Sequence, residues 1–366
     1  MHLITGGAGF IGRKLARQLL DAGERVRILD PLIAQVHGAE GRPPPEVEGA
    51  EIVRGDIRDL DAVRGALEGV EGVFHLAAEV GVGQSMYEID RYTAVNELGT
   101  AVLFQAITDA PEAGRPRRVV TASSMSVYGE GLYVGPGGRP LPPARRGGGW
   151  DPVGPEGEAL TPVPTPEGKP CDLASVYALN KFAQERMTHI VAGAYGIESV
   201  ALRLFNVYGP GQALSNPYTG VLAIFASRIA NGQRPMVFED GRQRRDFVHV
   251  DDVARAFRLA MERPEAAGAT INVGSGRSVS VAEVAEATAA ALGRPDLAPQ
   301  ITGKARTGDI RHCFADIALA RGALGFEPRR TFAEALPEMA EWVAGQRPED
   351  RVERASEELR ARGLVA

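Results

Sequence analysis

Short apolar runs and amphipathic stretches alternate along the first third of the chain. Leu3-Ile4 is followed by Ile11, Leu15 and Leu19 at helical spacing, and then by the run Val26-Arg27-Ile28-Leu29. A strand, a helix and a second strand at this spacing predict a βαβ unit, with a parallel sheet and a right-handed crossover. Further strand patterns lie at 50–53, 72–76, 117–122 and 199–204, so six or seven parallel strands are expected. Beyond about residue 210 the rhythm loosens, with helix patterns at 221–230, 250–262 and 281–292. The fold class this predicts is α/β. A doubly wound parallel sheet occupies residues 1–205, and a smaller interleaved C-terminal lobe, suited to substrate, occupies 206–345 with some segments returning to the sheet.

Two stretches depart from that pattern. Residues 130–172 are dense in Gly and Pro and carry the adjacent Arg145 and Arg146. They form an insertion, read either as a solvated excursion or as a lid over the substrate. Residues 346–366 form a highly charged helix pattern, read as a solvated face.

Composition narrows the class of ligand. The chain has 366 residues, 44% of them hydrophobic, with a formal net charge of -6. That length supports a large core, and that charge offers no basic field for a nucleic acid, so a small molecule is the expected partner. The two cysteines, Cys171 and Cys313, cannot by themselves make a disulfide framework or a four-ligand zinc site, and no metal is expected. No apolar run approaches 18 residues, and no charged and apolar leader pattern precedes the first strand. A cytoplasmic protein without a membrane segment is expected.

The first candidate chemistry is the turn Thr5-Gly6-Gly7-Ala8-Gly9-Phe10-Ile11-Gly12, between the first strand and the first helix. Gly6, Gly9 and Gly12 permit a tight turn, close approach to a pyrophosphate and close helix packing, while the helix N-terminus faces the phosphates. Asp30 follows Gly12 by 18 residues, at the end of the second strand. A carboxylate there accepts hydrogen bonds from the adenosine ribose and repels a 2′-phosphate, which favours NAD over NADP in a Rossmann-type site. Asp56 and Ile57, after the third strand, offer a carboxylate and an apolar wall where adenine should lie.

The second is Tyr177-Ala178-Leu179-Asn180-Lys181, which places a phenol and an ammonium four residues apart on one helical face. The ammonium and a positive nicotinamide ring both favour phenolate, making Tyr177 a proton acceptor. Ala122-Ser123-Ser124 closes a strand, where the Ser124 hydroxyl can meet a substrate at the carboxyl edge of the sheet.

With these segments in view, the chain resembles the extended short-chain dehydrogenase/reductases that act on nucleotide-sugars, from residue 1 to about residue 345. The resemblance rests on the Gly6 turn, His75-Leu76-Ala77-Ala78, Val95-Asn96-Glu97-Leu98-Gly99-Thr100, the Ser124 segment and the Tyr177/Lys181 pair. It extends through Arg203-Leu204-Phe205-Asn206-Val207-Tyr208-Gly209-Pro210, Arg245-Asp246-Phe247-Val248-His249-Val250-Asp251-Asp252 and Arg306-Thr307-Gly308-Asp309. It implies that Ser124, Tyr177 and Lys181 are the catalytic set and that Leu76, Ala77, Ala78, Asn96 and Phe205 contact the cofactor. Asn206, Arg245 and Arg306 would hold a substrate diphosphate, with Asp309, Met236 and Phe238 near its nucleoside, and Gly81 and Ser126 on the substrate side. A homodimer through helices near 99–110 and 177–192 is a further family expectation.

Within the family, sugar 4,6-dehydratases carry an acid directly after the catalytic hydroxyl residue, and nucleotide-glucuronate decarboxylases usually do so too. Here Met125 and Ser126 stand in that place, and neither supplies an acid. What remains is 4-epimerisation of an NDP-hexose, most simply a dTDP- or UDP-sugar, or reduction of a 4-keto sugar. In the first, NAD is a temporary hydride store; the second usually favours NADPH, against which Asp30 argues. A non-catalytic NAD-binding protein is the alternative from another class. Gly81-Val82-Gly83-Gln84-Ser85-Met86, the long insertion, Ser215-Asn216-Pro217-Tyr218-Thr219-Gly220 and Gly308-Asp309-Ile310-Arg311-His312-Cys313 are similar to nucleotide-deoxysugar epimerases of the dTDP-L-rhamnose type. Those often carry a Cys-x-x-Cys after a Trp in the insertion, whereas this chain has Trp150 followed by Gly154 and Gly157.

Overall fold

The first apolar run forms β1 (His2–Thr5), the innermost of the N-terminal strands. In the computed structural model, which describes residues 1–366 apart from 39, 145–148, 217, 219, 306–308, 347, 349, 351, 365–366 and the side chains of 354–356, it lies within a seven-stranded sheet. Numbering all strands in chain order, the others are β2 (Val26–Asp30), β3 (Glu51–Arg54), β4 (Gly72–His75), β5 (Arg118–Ser124), β8 (Glu198–Leu204) and β12 (Thr270–Val273). The spatial order is β12-β8-β5-β4-β1-β2-β3, parallel throughout. The chain runs outward from β1 to β3 and then returns to the other side of β1. That reversal opens a crevice between the carboxyl ends of β1 and β4, where open α/β sheets bind ligands.

The helices Phe10–Asp21 and Val250–Glu262 cover one face, burying Leu15, Leu19, Val253 and Phe257 against Ile28 and Phe74. Leu60–Leu67, Gly99–Asp109 and Val176–Ala194 cover the other, around Val63, Leu103 and Val119. Gly12 is where the first helix meets the glycine turn. A Cβ there would lie 2.6 Å from both the Gly6 carbonyl oxygen and the Gly7 Cα, which are backbone and cannot swing aside. Gly12→Val is expected to cost about 1–3 kcal/mol through overpacking, read as a lower urea midpoint with an unchanged slope.

The sixth and seventh strands come from distant parts of the chain. β12 is four residues long, Thr-Ile-Asn-Val, and pairs in register from Thr270 opposite Ala201 to Val273 opposite Leu204. Its pattern is too short to stand out in the sequence. β9 (Asn206–Tyr208) pairs with β11 (Arg244–His249), which also pairs with β13 (Ser278–Ser280) and β15 (His312–Cys313). β10 (Met236–Val237) pairs with β14 (Gln300–Ile301). The helices Val221–Ala230, Val250–Glu262 and Val281–Ala291 fall where the periodicity placed them. Ser280 begins the last of these through a reciprocal cap: its hydroxyl accepts from Glu283 N at 3.2 Å, and the Glu283 carboxylate accepts from Ser280 N at 2.7 Å.

Among its described residues, the insertion is tied to the body of the chain and none lines the crevice. Within it β6 (Leu132–Val134) pairs antiparallel with β7 (Thr161–Val163). Thr165 N donates to Phe314 O at 2.8 Å, Asp316 N donates to Thr165 O at 3.1 Å, and Gly131 N donates to His312 O at 2.7 Å. Thr165 and Tyr133 are buried, so the arm is docked along β15. The charged tail is also no simple solvated face. Its helix Val352–Ala361 buries Leu359 near Gly83, and Glu358 accepts from the Tyr87 and Tyr218 hydroxyls, each at 3.4 Å. Among the described residues, no helix is long and apolar enough to cross a membrane.

Candidate active site

A cleft of about 430 Å³ runs along the carboxyl ends of the strands at the reversal point. Gly6, Gly9, Phe10, Ile11 and Gly12 line its floor. Gly6 has φ +67°, and a Cβ on it would lie 2.9 Å from the Ala77 backbone, so the end of β4 can approach only a glycine. Leu76, Ala77 and Ala78 line the opposite wall, and Phe205 closes it beyond β8.

Asp30 sits at the end of β2, buried at 5% exposure yet facing the cleft. Its Oδ2 accepts from Ala8 N at 3.0 Å and its Oδ1 from Leu32 N at 2.9 Å. These two bonds orient the carboxylate and leave lone pairs on both oxygens for a ribose diol. Asp56 and Ile57 line the same end. The Asp56 carboxylate is engaged by Arg58, whose Nε and Nη2 donate at 2.9 and 2.7 Å and hold its carboxyl below the usual range. The contact offered toward adenine is therefore an Asp56–Arg58 fork beside Ile57.

Ser124, Tyr177 and Lys181 converge on the cleft from β5 and the Val176–Ala194 helix. That helix starts at Ser175, whose hydroxyl accepts from Ala178 N at 3.1 Å, while Tyr177 N donates to Ser85 Oγ at 3.0 Å. Both contacts hold Tyr177 in the first turn, aimed at Ser124. Ser124 Oγ accepts from Ser126 N at 3.2 Å, which leaves its own proton for an oxygen in the cleft. Burial pushes the Tyr177 phenol up to about 12, with its hydrogen bond to Ser124 drawing the other way. Burial also pulls Lys181 down to about 7. The Lys181 ammonium donates to Gln184 Oε1 at 2.7 Å, and desolvation dominates at the phenol.

Several expected positions fall elsewhere. Asn96 is fully buried behind the cleft wall. Its Oδ1 accepts from Glu79 N at 2.7 Å and its Nδ2 donates to Glu79 O at 3.1 Å, so it braces the loop after β4 and does not face the cofactor space. Gly81, at φ +144°, packs against Tyr218 and Tyr92 outside the cleft lining. Asn206 does line the cleft, with its buried Oδ1 lacking a hydrogen-bond partner, whereas Ser126 falls outside the cleft lining, its buried hydroxyl also lacking one. Met236 and Phe238 belong to the outlying β10 region, away from the cleft lining. Arg245 turns inward, its guanidinium donating to the carbonyl oxygens of Arg244 and Arg311, both at 2.9 Å, and to Ile310 O. Asp309 acts on that charge, and Arg306 lies outside the described residues. Gln212 and Asn216, both buried, also line the cleft; Asn216 belongs to a segment that carried the family resemblance, whereas Gln212 carries no sequence signal beyond lying after the Asn206 segment. Gln184, one turn beyond Lys181, carries no sequence signal of its own; its role follows only from the contacts of the fold.

A Gly-rich turn beneath a helix N-terminus, a ribose-height carboxylate and a hydroxyl, phenol and ammonium at the opposite end define a dinucleotide-dependent oxidoreductase-type site. Residues 2–274 match the NAD dependent epimerase/dehydratase family. The chain is 36% identical to the dTDP-L-rhamnose 4-epimerase of Burkholderia thailandensis over 355 residues, 93% of this chain and 94% of that one. It is 34% identical to the UDP-glucose 4-epimerase of Mycolicibacterium smegmatis over 346 residues, 93% of this chain and 97% of that one. The UDP-glucose 4-epimerase of Thermus thermophilus, solved in complex with NAD, superposes with a TM-score of 0.75 at 30% identity, covering 94% of this chain and 99% of that one. The chain belongs to the NAD-dependent epimerase/dehydratase family, and it is an enzyme that uses NAD.

Proposed function

We propose that the protein is an NDP-sugar 4-epimerase that inverts C4 of an NDP-hexose or NDP-6-deoxyhexose through a 4-keto intermediate. The observation that carries this reading is the convergence of Ser124, Tyr177 and Lys181 where no acid follows Ser124. Met125 is a buried core residue, and Ser126 has no group that could remove the elements of water from C5 and C6. The relatives named as epimerases of dTDP-L-rhamnose and UDP-glucose support the same reaction class.

In this reading the glycine turn cradles the pyrophosphate, and Asp30 binds the adenosine ribose. NAD, when bound, supplies the hydride acceptor and a positive ring whose field makes a phenolate less costly. Tyr177 takes the proton of the C4 hydroxyl and later returns it, while the Ser124 hydroxyl donates to the same oxygen. Lys181 supplies positive charge next to the phenol. Asn206 Oδ1, a buried oxygen in the cleft lining without a hydrogen-bond partner, offers a polar contact on the substrate side.

The test is a panel of UDP-, dTDP- and GDP-hexoses read by NMR for C4 inversion without added cofactor. Inversion with no net change in cofactor is expected. Stoichiometric consumption of reduced cofactor with a 4-keto sugar would move the assignment to a reductase. Asp30→Ala is expected to weaken NAD binding by roughly 10- to 100-fold, the loss of hydrogen bonds to a charged acceptor, as measured by calorimetry on stripped protein. We further propose a homodimer. Leu98, Leu179 and Ile190 are half or more exposed near or on the catalytic helix, an apolar face that a second copy would cover. Light scattering should give twice the chain mass of 38.9 kDa.

A further inference from the structure

Lys181 is 3% exposed, in surroundings where an ammonium is costly to hold. The carboxylate one turn along its helix does not pair with it. Glu185 accepts from Ser123 Oγ at 2.8 Å and from Arg203 Nε and Nη2 at 2.9 and 2.6 Å. Among the described residues, the hydrogen-bond acceptor of Lys181 Nζ is Gln184 Oε1, at 2.7 Å.

Gln184 is itself fully buried, and its surroundings permit one orientation of its amide. Thr100 Oγ1 donates to Asn96 O at 2.6 Å, so toward Gln184 it can only accept, and Gln184 Nε2 donates to it at 2.9 Å. The Ala77 carbonyl, 3.5 Å from the same nitrogen, is a second acceptor. Behind them Thr5 Oγ1 accepts from Ala77 N at 3.2 Å and lies 2.8 Å from His75 Nδ1, and His75 Nε2 lies 2.9 Å from Thr100 Oγ1. Gln184 Nε2 also lies 3.2 Å from His75 Nε2. Either Thr5 donates to Nδ1 and Nε2–H donates to Thr100, or Nδ1–H donates to Thr5 and Nε2 accepts from Gln184; in both arrangements Gln184 Nε2 keeps Thr100 Oγ1 as its acceptor. Burial and the charge of Lys181 hold His75 down at about 3, so the imidazole stays neutral in both. Flipping the Gln184 amide would set two donors against each other at Lys181 and two acceptors against each other at Ala77.

We propose that Gln184 is a positioning residue for catalysis: its locked side-chain carbonyl holds the Lys181 ammonium in place beside Tyr177, acting through Lys181 and touching neither substrate nor cofactor. An ammonium has three donors. One goes to Gln184, and two remain for groups in the cleft. The kinetic consequence rests on the epimerase reading above; the electrostatic one does not.

The charged group that acts on Lys181 is Glu185 on the same helix, and Lys181 in turn acts on the neutral His75 from the end of β4; Tyr177 stands four residues back on that helix. Gln184→Met keeps the shape and removes the acceptor, and Gln184→Glu places a carboxylate at the same reach. The chain's lysines are Lys14, Lys169, Lys181 and Lys304, so carbon-13 lysine labelling of the purified NAD-loaded protein gives a resolvable Cε spectrum. The Lys181 resonance is identified by its absence in Lys181→Met. Its midpoint is expected to fall by about one unit in Gln184→Met and to rise by about one unit in Gln184→Glu. The basic limb of kcat against pH should move with it in each variant, about tenfold in rate on the descending side, while KM for the sugar stays constant. Should the Met variant fail to fold, the upward shift in the Glu variant alone carries the test. Equal midpoints in wild type and the folded variants would overturn the proposal. Shifted midpoints in a protein that inverts no C4 would instead refute the epimerase reading and leave the role of Gln184 standing.

Discussion

Tyr177→Phe is expected to lower kcat for C4 inversion by roughly 10²–10⁴-fold, the usual contribution of a positioned acid–base group, while the protein still retains NAD. The reasoning is local. Tyr177 is held in the first turn by Ser175 and Ser85, its phenol faces Ser124, and its ring is buried in the cleft wall. Phe keeps the ring and removes the atom that handles the proton. Because burial raises the phenol to about 12, the hydroxyl already suffers desolvation, and its removal should leave the thermal midpoint close to wild type. The measurements are single-turnover rates and the absorbance of retained cofactor. Full activity in the Phe variant would sink the mechanism.

The largest stability loss is expected at Arg311, in the short loop that docks the insertion. Arg311 is fully buried, and its Nη1 donates to Glu239 Oε2 at 2.9 Å and to Asp240 Oδ1 at 2.6 Å. Its Nε donates to Asp151 Oδ1 of the insertion at 2.7 Å, and its backbone N donates to Glu130 Oε1 at 2.7 Å. One guanidinium thus ties the β10 region, the insertion and β15 together. Arg311→Met removes the cation from beside a buried carboxylate, Glu239, and should cost about 3–5 kcal/mol, far more than the net worth of the pairs. Urea unfolding followed by tryptophan fluorescence gives the free energy, and limited proteolysis should show the insertion cut sooner than in wild type. An unfolding free energy within 1 kcal/mol of wild type would show that the carboxylates find water once the cation is gone.

These two sites differ in how far the sequence announces them. The glycine turn, Asp30, Ser124, Tyr177 and Lys181 are legible because each role requires a residue type at a fixed spacing from a strand end or along a helix face. The spans Val221–Ala230 and Val250–Glu262 are legible for the same reason, since helical periodicity is a local property. The hub at Arg311 gives no such signal. Its partners come from residues 130, 151, 239 and 240, and nothing local in the sequence relates them. β12 is similar: four residues become a sheet strand because β8 offers them an open edge.

The sequence by itself determined the α/β class, the NAD site at the start of the chain and the trio proposed for catalysis, Ser124, Tyr177 and Lys181, all consequences of local spacing and residue chemistry. Tertiary structure alone decided the rest: that Asn96 braces Glu79 behind the wall, that Arg245 turns to backbone carbonyls, that the insertion docks along β15 and that Lys181 leans on Gln184. The physical reason is common to all four. Most buried polar groups find a partner within about 3 Å, and which group stands there depends on how distant segments pack.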